Sequence, residues 1–102
     1  MTPRMGLEMY RALSLRQVEA YVPLAEQLGV STVARSSRGF LAALRRAGSV
    51  AALSVEWRRK REAFIARHMA QVEARGEALW DDEGNPTRRH IALIMWAYSP
   101  ED

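Results

Sequence analysis

The sequence predicts an all-α protein that folds as one compact domain of about five helices. Three observations lead to this prediction. Apolar residues recur at three- and four-residue spacing, helix-capping residues stand at the boundaries of these segments, and no segment alternates polar and apolar residues for long. The length of 102 residues suits a single domain over residues 1–102. We expect it to be built around a long helix at about residues 55–75 and a buried C-terminal helix at about residues 87–98.

The first part of the chain carries the patterns of two helices. The segment GLEMYRAL favours a short helix. The next helix begins after Ser14, where Gln17 completes a capping box, and Gly29 is a suitable stop. Pro23 stands inside this run, and proline removes a backbone donor and clashes with the preceding turn. We therefore expect Pro23 to kink the helix or to begin a second one.

Two further helices follow the segment STVARSS, which is expected to be a linker or one loose turn. The segment SRGFLAALRRAG favours a helix that ends at Gly48. The longest helix, VEWRRKREAFIARHMAQVEAR, is expected to begin after the N-cap Ser54 and to end at Gly76. Its large apolar stripe comprises Trp57, Phe64, Ile65, His68, Met69 and Val72. Arg61 projects toward this stripe, so it is expected to snorkel or to pair with an acid.

The opposite side of the longest helix carries small residues. They are Ala63, Ala66, Ala70 and Ala74. Small residues allow another backbone to approach closely, so this alanine seam is a candidate interface with a second layer of the domain or with another subunit. Alanine is also the best helix former, and the alternative is a solvent-facing side with no binding role.

The closing segment NPTRRHIALIMWAYSP is apolar from Ile91 to Tyr98. The preceding residues DDEGNP favour a turn, and Thr87 is a suitable N-cap, so a helix is favoured over a buried strand. A helix that is apolar on nearly every side must be covered nearly everywhere. We expect most of this cover within the monomer, and Trp96 is a candidate interface residue if the cover is incomplete.

The distribution of charge points to an anionic partner. The net charge is +3, and residues 35–67 hold nine basic and two acidic side chains, a local charge of +7. The candidate nucleic-acid-binding residues in this segment are Arg35, Arg38, Arg45, Arg46, Arg58, Arg59 and Lys60. Fourteen of the fifteen basic residues are arginine, which forms a two-pronged contact with phosphate. The alternative is a solvated surface of a protein whose genome favours arginine codons.

The segment LAEQLGVS, residues 24–31, resembles the first helix and the turn of bacterial helix-turn-helix regulators. The segment LRQVEAYVPLAE also resembles the opening helix of LysR-type regulators. The resemblance covers about a quarter of the chain, and it implies that Ser31, Thr32 and Arg35 approach the major groove of DNA. The chain departs from the pattern at Arg35, where the recognition helix would need an apolar residue, and at Pro23.

Residue patterns that support catalysis or metal binding are missing from the sequence. There is no cysteine, no serine within G-x-S-x-G and no glycine-rich phosphate loop. His68 and His90 are expected to be hydrogen-bonded core or boundary residues, because no metal-ligand spacing accompanies them. We therefore expect no enzymatic activity, no cofactor and no metal.

The sequence thus favours a small basic helical binding module that associates with nucleic acid. The alternative is a protein-interaction module or a homodimer with no enzymatic activity. The longest apolar run is far shorter than the ~20 residues that cross a bilayer, so no membrane partner is expected. No N-terminal leader pattern is present, and the expected location is the cytoplasm.

Overall fold

Four helices follow one another in the computed structural model, which describes residues 10–100. They are α1 (Leu15–Leu28), α2 (Phe40–Ala47), α3 (Val55–Arg75) and α4 (Arg88–Ile94). Residues 10–100 contain no strand, and the only β-type pairings among them are isolated bridges from Ala12 to Tyr98 and from Trp80 to Pro86. The all-α prediction is therefore confirmed.

The number of helices differs from the expected five. Residues 10–13 are not helical, and the rest of the segment GLEMYRAL lies outside the described residues. The non-helical backbone here pairs with the other end of the chain. Leu13 N donates to the Ala97 carbonyl at 2.7 Å, and Ser99 N donates to the Arg11 carbonyl at 3.2 Å. These long-range hydrogen bonds replace those that a helix would have formed.

Helix α1 begins as its sequence predicts. Gln17 N donates to Ser14 Oγ at 3.1 Å, and Ser14 N donates to Gln17 Oε1 at 2.8 Å, which completes the capping box. Pro23 lies inside α1, and no second helix begins there. The helix ends at Gly29, whose φ of 66° is the left-handed conformation that glycine adopts without strain.

Helix α3 has the predicted bounds. Ser54 Oγ accepts a hydrogen bond from Trp57 N at 3.2 Å, and Gly76 closes the helix. Arg61, Ile65 and Val72 form its buried face. The predicted apolar stripe therefore does face the interior. Among the described residues, no helix is both long enough and apolar enough to span a membrane.

Helix α4 is shorter than predicted. Thr87 caps its start, where the side chain accepts from His90 N at 3.3 Å, but the helix ends at Ile94 rather than at residue 98. Trp96 N and Tyr98 N both donate to the Leu93 carbonyl, at 2.9 and 3.1 Å, and Ala97 adopts a φ of 61°. The chain thus turns away from the helix axis after Ile94. The prediction of burial is nevertheless confirmed for most of this segment, since Met95 and Ala97 are fully buried.

The core occupies the space between the helices in two clusters. Helix α1 packs against α4, and α2 packs against α3. The larger cluster includes Val18, Ala25, Phe40, Leu41, Leu44, Ile91, Ile94 and Met95. A smaller cluster joins α3 to the C-terminal segment through Ile65, Leu93 and Tyr98. Helix α3 therefore lies with one side on this core and the other side toward solvent.

Candidate functional site

The residues predicted to contact nucleic acid differ in whether their side chains already bind other groups of the protein. Arg35 Nε donates to the Val30 carbonyl at 3.0 Å. Arg45 forms a two-pronged salt bridge with Glu19, with both N–O distances at 2.7 Å. This hydrogen bond from Arg45 lowers the pKa of the Glu19 carboxyl. Both arginines are thus engaged within the protein.

The other exposed members of the set have no acidic partner among the described residues. Arg38, Arg46, Arg59 and Lys60 are exposed, and none of them forms an ion pair with a residue between 10 and 100. Lys60 Nζ lies 4.8 Å from the centre of the Trp57 ring, which is a cation–π contact. Arg58 is half-buried. We call Arg38, Arg46, Arg59 and Lys60 the basic surface.

Two members of the basic surface lie near the place where α2 and α3 pack together. A cleft of about 320 Å³ lies there, lined by Arg46 from α2 and by Ser54 and Trp57 from the start of α3. Lys60 stands over the Trp57 ring, and Arg46 lines the same cleft as this ring. The region thus offers two positive charges to an anionic partner.

The predicted alanine seam lies on the solvent side of α3. Ala63, Ala66, Ala70 and Ala74 are all exposed. Arg59 and Arg67 are exposed on the same side of the helix. We call this surface the outer face of α3. Its exposure is required for an interface, and the same exposure is expected of a solvent-facing helix with no binding role.

Trp96 takes part in an internal stack of aromatic rings. Its ring lies 4.7 Å from that of Phe40 and 4.5 Å from that of Phe64, nearly parallel to both. Phe64 in turn stacks on His68 at 4.0 Å. Trp96 is therefore half-buried between α2 and α3, on the side of α3 away from the alanine seam.

The helix-turn-helix resemblance reaches only as far as the turn. After Gly29 the chain forms successive turns over residues 32–38, and the next helix starts at Phe40. Leu41 N donates to the Ala34 carbonyl at 2.9 Å, which holds this connection as a compact loop. Among the described residues, no recognition helix carries Ser31, Thr32 or Arg35.

Arg61 is a buried charged residue whose contacts are predicted only in part by the sequence. Its side chain is 0% exposed, and Nη1 lies 2.9 Å from Glu62 Oε2, so the expected acid pairing is present. The guanidinium also donates to four backbone carbonyls: Nε to Trp96 at 2.8 Å, Nη2 to Arg11 at 2.8 Å and to Ala97 at 3.1 Å, and Nη1 to Tyr10 at 3.4 Å. These carbonyls come from distant parts of the chain, so no local sequence signal marks them.

The two histidines are hydrogen-bonded, as the sequence predicts. His68 Nδ1 accepts from Arg89 Nη1 at 2.8 Å, since a guanidinium can only donate. Burial, followed by the charge of Arg89, lowers the pKa of His68. His90 Nδ1 donates to the Leu79 carbonyl at 2.9 Å, and burial lowers its pKa as well. No three potential metal ligands cluster in the part of the chain that the structure describes.

The arginines at the start of α4 do not pair with the acidic turn nearby. Arg89 Nε instead binds Glu77 Oε1 at 2.8 Å, and this hydrogen bond lowers the pKa of Glu77. Arg88 Nη1 donates to the carbonyl of Leu28, the last residue of α1, at 2.7 Å. Asp81 uses its carboxylate to close its own turn, by accepting from Glu83 N and Asn85 N at 2.9 Å each.

Comparisons with protein-family models, with curated proteins and with solved structures find no match to this chain.

Proposed function

We propose that this chain is a small helical binding module that contacts the phosphates of nucleic acid through its basic surface. The observation that carries the proposal is the state of Arg38, Arg46, Arg59 and Lys60. All four are exposed and have no acidic partner among residues 10–100. Arg45, by contrast, is held in a salt bridge with Glu19.

The proposed contacts are to the phosphate backbone rather than to bases. Base readout in the major groove uses an exposed helix or ribbon, and the described turns over residues 32–38 offer neither. Arginine and lysine side chains bind phosphates of any sequence and release condensed counterions when they do so. Binding of this kind is salt-dependent and has little sequence preference.

The first experiment measures binding to a mixed-sequence DNA duplex by fluorescence anisotropy at several salt concentrations. If the four members of the basic surface each neutralise one phosphate, log K should fall with log salt with a slope of about −3.6. The double variant Arg46→Gln/Arg59→Gln removes two of these contacts. We expect its slope to be shallower by about two.

The matched control is Arg16→Gln/Arg75→Gln, which removes the same net charge from exposed positions outside the basic surface. It should change the slope much less than the variant of the basic surface does. The proposal is wrong if no binding occurs at low salt, or if the two double variants weaken binding equally.

A second candidate function is self-association through the outer face of α3. It rests on the exposure of all four alanines along a helix of 21 residues. Light scattering should then give about twice the 11.6 kDa mass of one chain. Ala66→Glu, in the middle of the face, should restore the monomer, whereas Gln71→Glu at its edge should leave the dimer intact. A mass of one chain at high protein concentration would exclude this candidate.

A further inference from the structure

A cavity of about 300 Å³ lies beside the contact between α1 and α4. Its walls come from distant parts of the chain: Tyr21 from α1, Trp80 from the turn before α4, Ile94 from α4 and Tyr98 from the C-terminal segment. The volume is at the small end of the ~300–1,000 Å³ typical of ligand sites, and aromatic walls around a few polar groups are typical of them too. The cavity therefore suits a small molecule with an aromatic ring.

His90 supplies a buried polar atom to this cavity. The residue is only 2% exposed, and Nδ1 carries the proton that it donates to the Leu79 carbonyl at 2.9 Å. Nε2 is then a hydrogen-bond acceptor, because burial lowers the pKa of His90 and keeps the ring neutral. Within residues 10–100, Nε2 has no hydrogen-bond partner, yet it is not sealed from solvent. Since His90 lines the cavity, a donor on a ligand can reach this nitrogen.

Trp80 provides a flat surface at the same place. Its ring stands edge-on to that of His90, with the centroids 4.7 Å apart and the planes at 85°. The residue remains 46% exposed, although its backbone is held by the bridge to Pro86. An exposed indole with a fixed backbone favours stacking with an aromatic ring.

Arg11 supplies a positive charge to the cavity. Among the described residues that line the cavity, it is the one cationic side chain, and none of them is acidic. Its carbonyl is held by Arg61 Nη2 at 2.8 Å and by Ser99 N at 3.2 Å, so the backbone from which the side chain extends is fixed. The exposed guanidinium forms no ion pair with a described residue. A carboxylate is the group that it recognises in two-pronged fashion.

We propose that this cavity binds a small aromatic acid that carries an N–H or O–H donor. The ring lies among Trp80, Tyr21 and Tyr98, the donor binds His90 Nε2, and the carboxylate binds Arg11. No member of the basic surface lines this site, so it does not depend on nucleic-acid binding.

The test is calorimetric titration of the full chain with two matched pairs of probes. The first pair is indole-3-acetate and 1-methylindole-3-acetate, and the second is 4-hydroxybenzoate and 4-methoxybenzoate. At least one donor-bearing member should bind saturably. Its methylated partner should bind about tenfold more weakly or not at all, because it leaves Nε2 without a donor. The ¹⁵N resonance of His90 Nε2 should shift with the donor-bearing probe alone.

Variants locate the binding. Trp80→Ala should lower the affinity for the donor-bearing probe about tenfold or more. Arg11→Gln should lower this affinity by up to about fivefold, as expected for an exposed ion pair. Arg16→Gln is the control, since it removes an exposed arginine that does not line the cavity. The proposal is overturned if neither donor-bearing probe binds, if each methylated probe binds as well as its partner, or if Trp80→Ala and Arg11→Gln both leave the affinity unchanged.

Discussion

Arg61 lies in the protein interior with its charge fully hydrogen-bonded. Burial of an isolated cation is unfavourable, and here Glu62 and four backbone carbonyls offset the lost hydration. The carbonyls of Trp96 and Ala97 belong to the turn that follows α4. The guanidinium therefore holds the turn after α4 against α3.

Removal of the Arg61 side chain should be strongly destabilising. Arg61→Met leaves several buried carbonyls without a donor, and we expect it to lower the free energy of unfolding by about 3–5 kcal/mol. Arg59→Met is the matched control, because Arg59 is exposed two positions earlier on the same helix, and its effect should stay within about 0.5 kcal/mol. Urea unfolding of both variants measures the difference, and a loss below about 1 kcal/mol for Arg61→Met would contradict this role.

The connection between α1 and α2 depends on one glycine for space rather than for conformation. Gly39 has a φ of −92°, which any residue can adopt. A Cβ atom there would nevertheless overlap the backbone oxygens of Val33 and Ala34. Backbone atoms cannot move aside as the end of a flexible side chain can. The close approach of Gly39 to the backbone of Val33 and Ala34 therefore requires glycine.

Gly39→Ala should therefore destabilise the fold by about 3 kcal/mol or more. Gly48→Ala makes the informative comparison, since Gly48 has a φ of 90° but open space around its Cα. Its effect should be about 1 kcal/mol, from backbone conformation alone. Thermal unfolding of the two variants distinguishes these causes, and equal losses would show that the overlap at Gly39 is relieved at little cost.

The helix boundaries that the sequence predicted are those set by neighbouring residues. Ser14, Ser54 and Gly76 act within three or four positions of themselves, so their patterns could be recognised directly. The turn after α4 could not, because its carbonyls are bound by Arg61, 35 positions away from Trp96 along the chain. The absence of helix in residues 10–13 likewise depends on pairing with the C-terminal segment, which local propensity does not encode.

The lowered pKa values of the two histidines predict that the whole molecule loses stability at acidic pH. Burial lowers the pKa values of His68 and His90 below the usual 6.5, so the unfolded chain takes up these protons before the folded one. We expect the free energy of unfolding, measured with urea, to decrease as the pH falls below about 6.5. His68→Gln should reduce this decrease, and a constant free energy of unfolding between about pH 7 and pH 5 would contradict the prediction.

A second decrease should follow at lower pH. Hydrogen bonds from Arg45 and Arg89 lower the pKa values of Glu19 and Glu77 below the usual 4.5. Both carboxylates thus stabilise the fold above this pH, and the stabilisation is lost as the pH falls through the lowered values. Arg45→Gln should reduce this second decrease in the same urea titration.

The sites were predictable to different degrees at the scale of the whole molecule. A run of basic residues in the sequence located the basic surface, because charge along α2 and α3 stays at the surface unless a partner buries it. It could not show that Arg45 would meet Glu19, 26 positions earlier. The cavity around His90 was not predicted at all, since Arg11, Tyr21 and Trp80 meet there only after the helices have packed.

The bridge between Ala12 and Tyr98 places the two ends of the described chain side by side. A short linker could therefore join them without crossing the molecule, and new termini could be opened in the exposed turn between Asp82 and Glu83. Such a circular permutant would run from α4 through the linker into α1 and finish after α3. It should regain the native circular dichroism spectrum, because the order of the helices along the backbone would change while their packing would not.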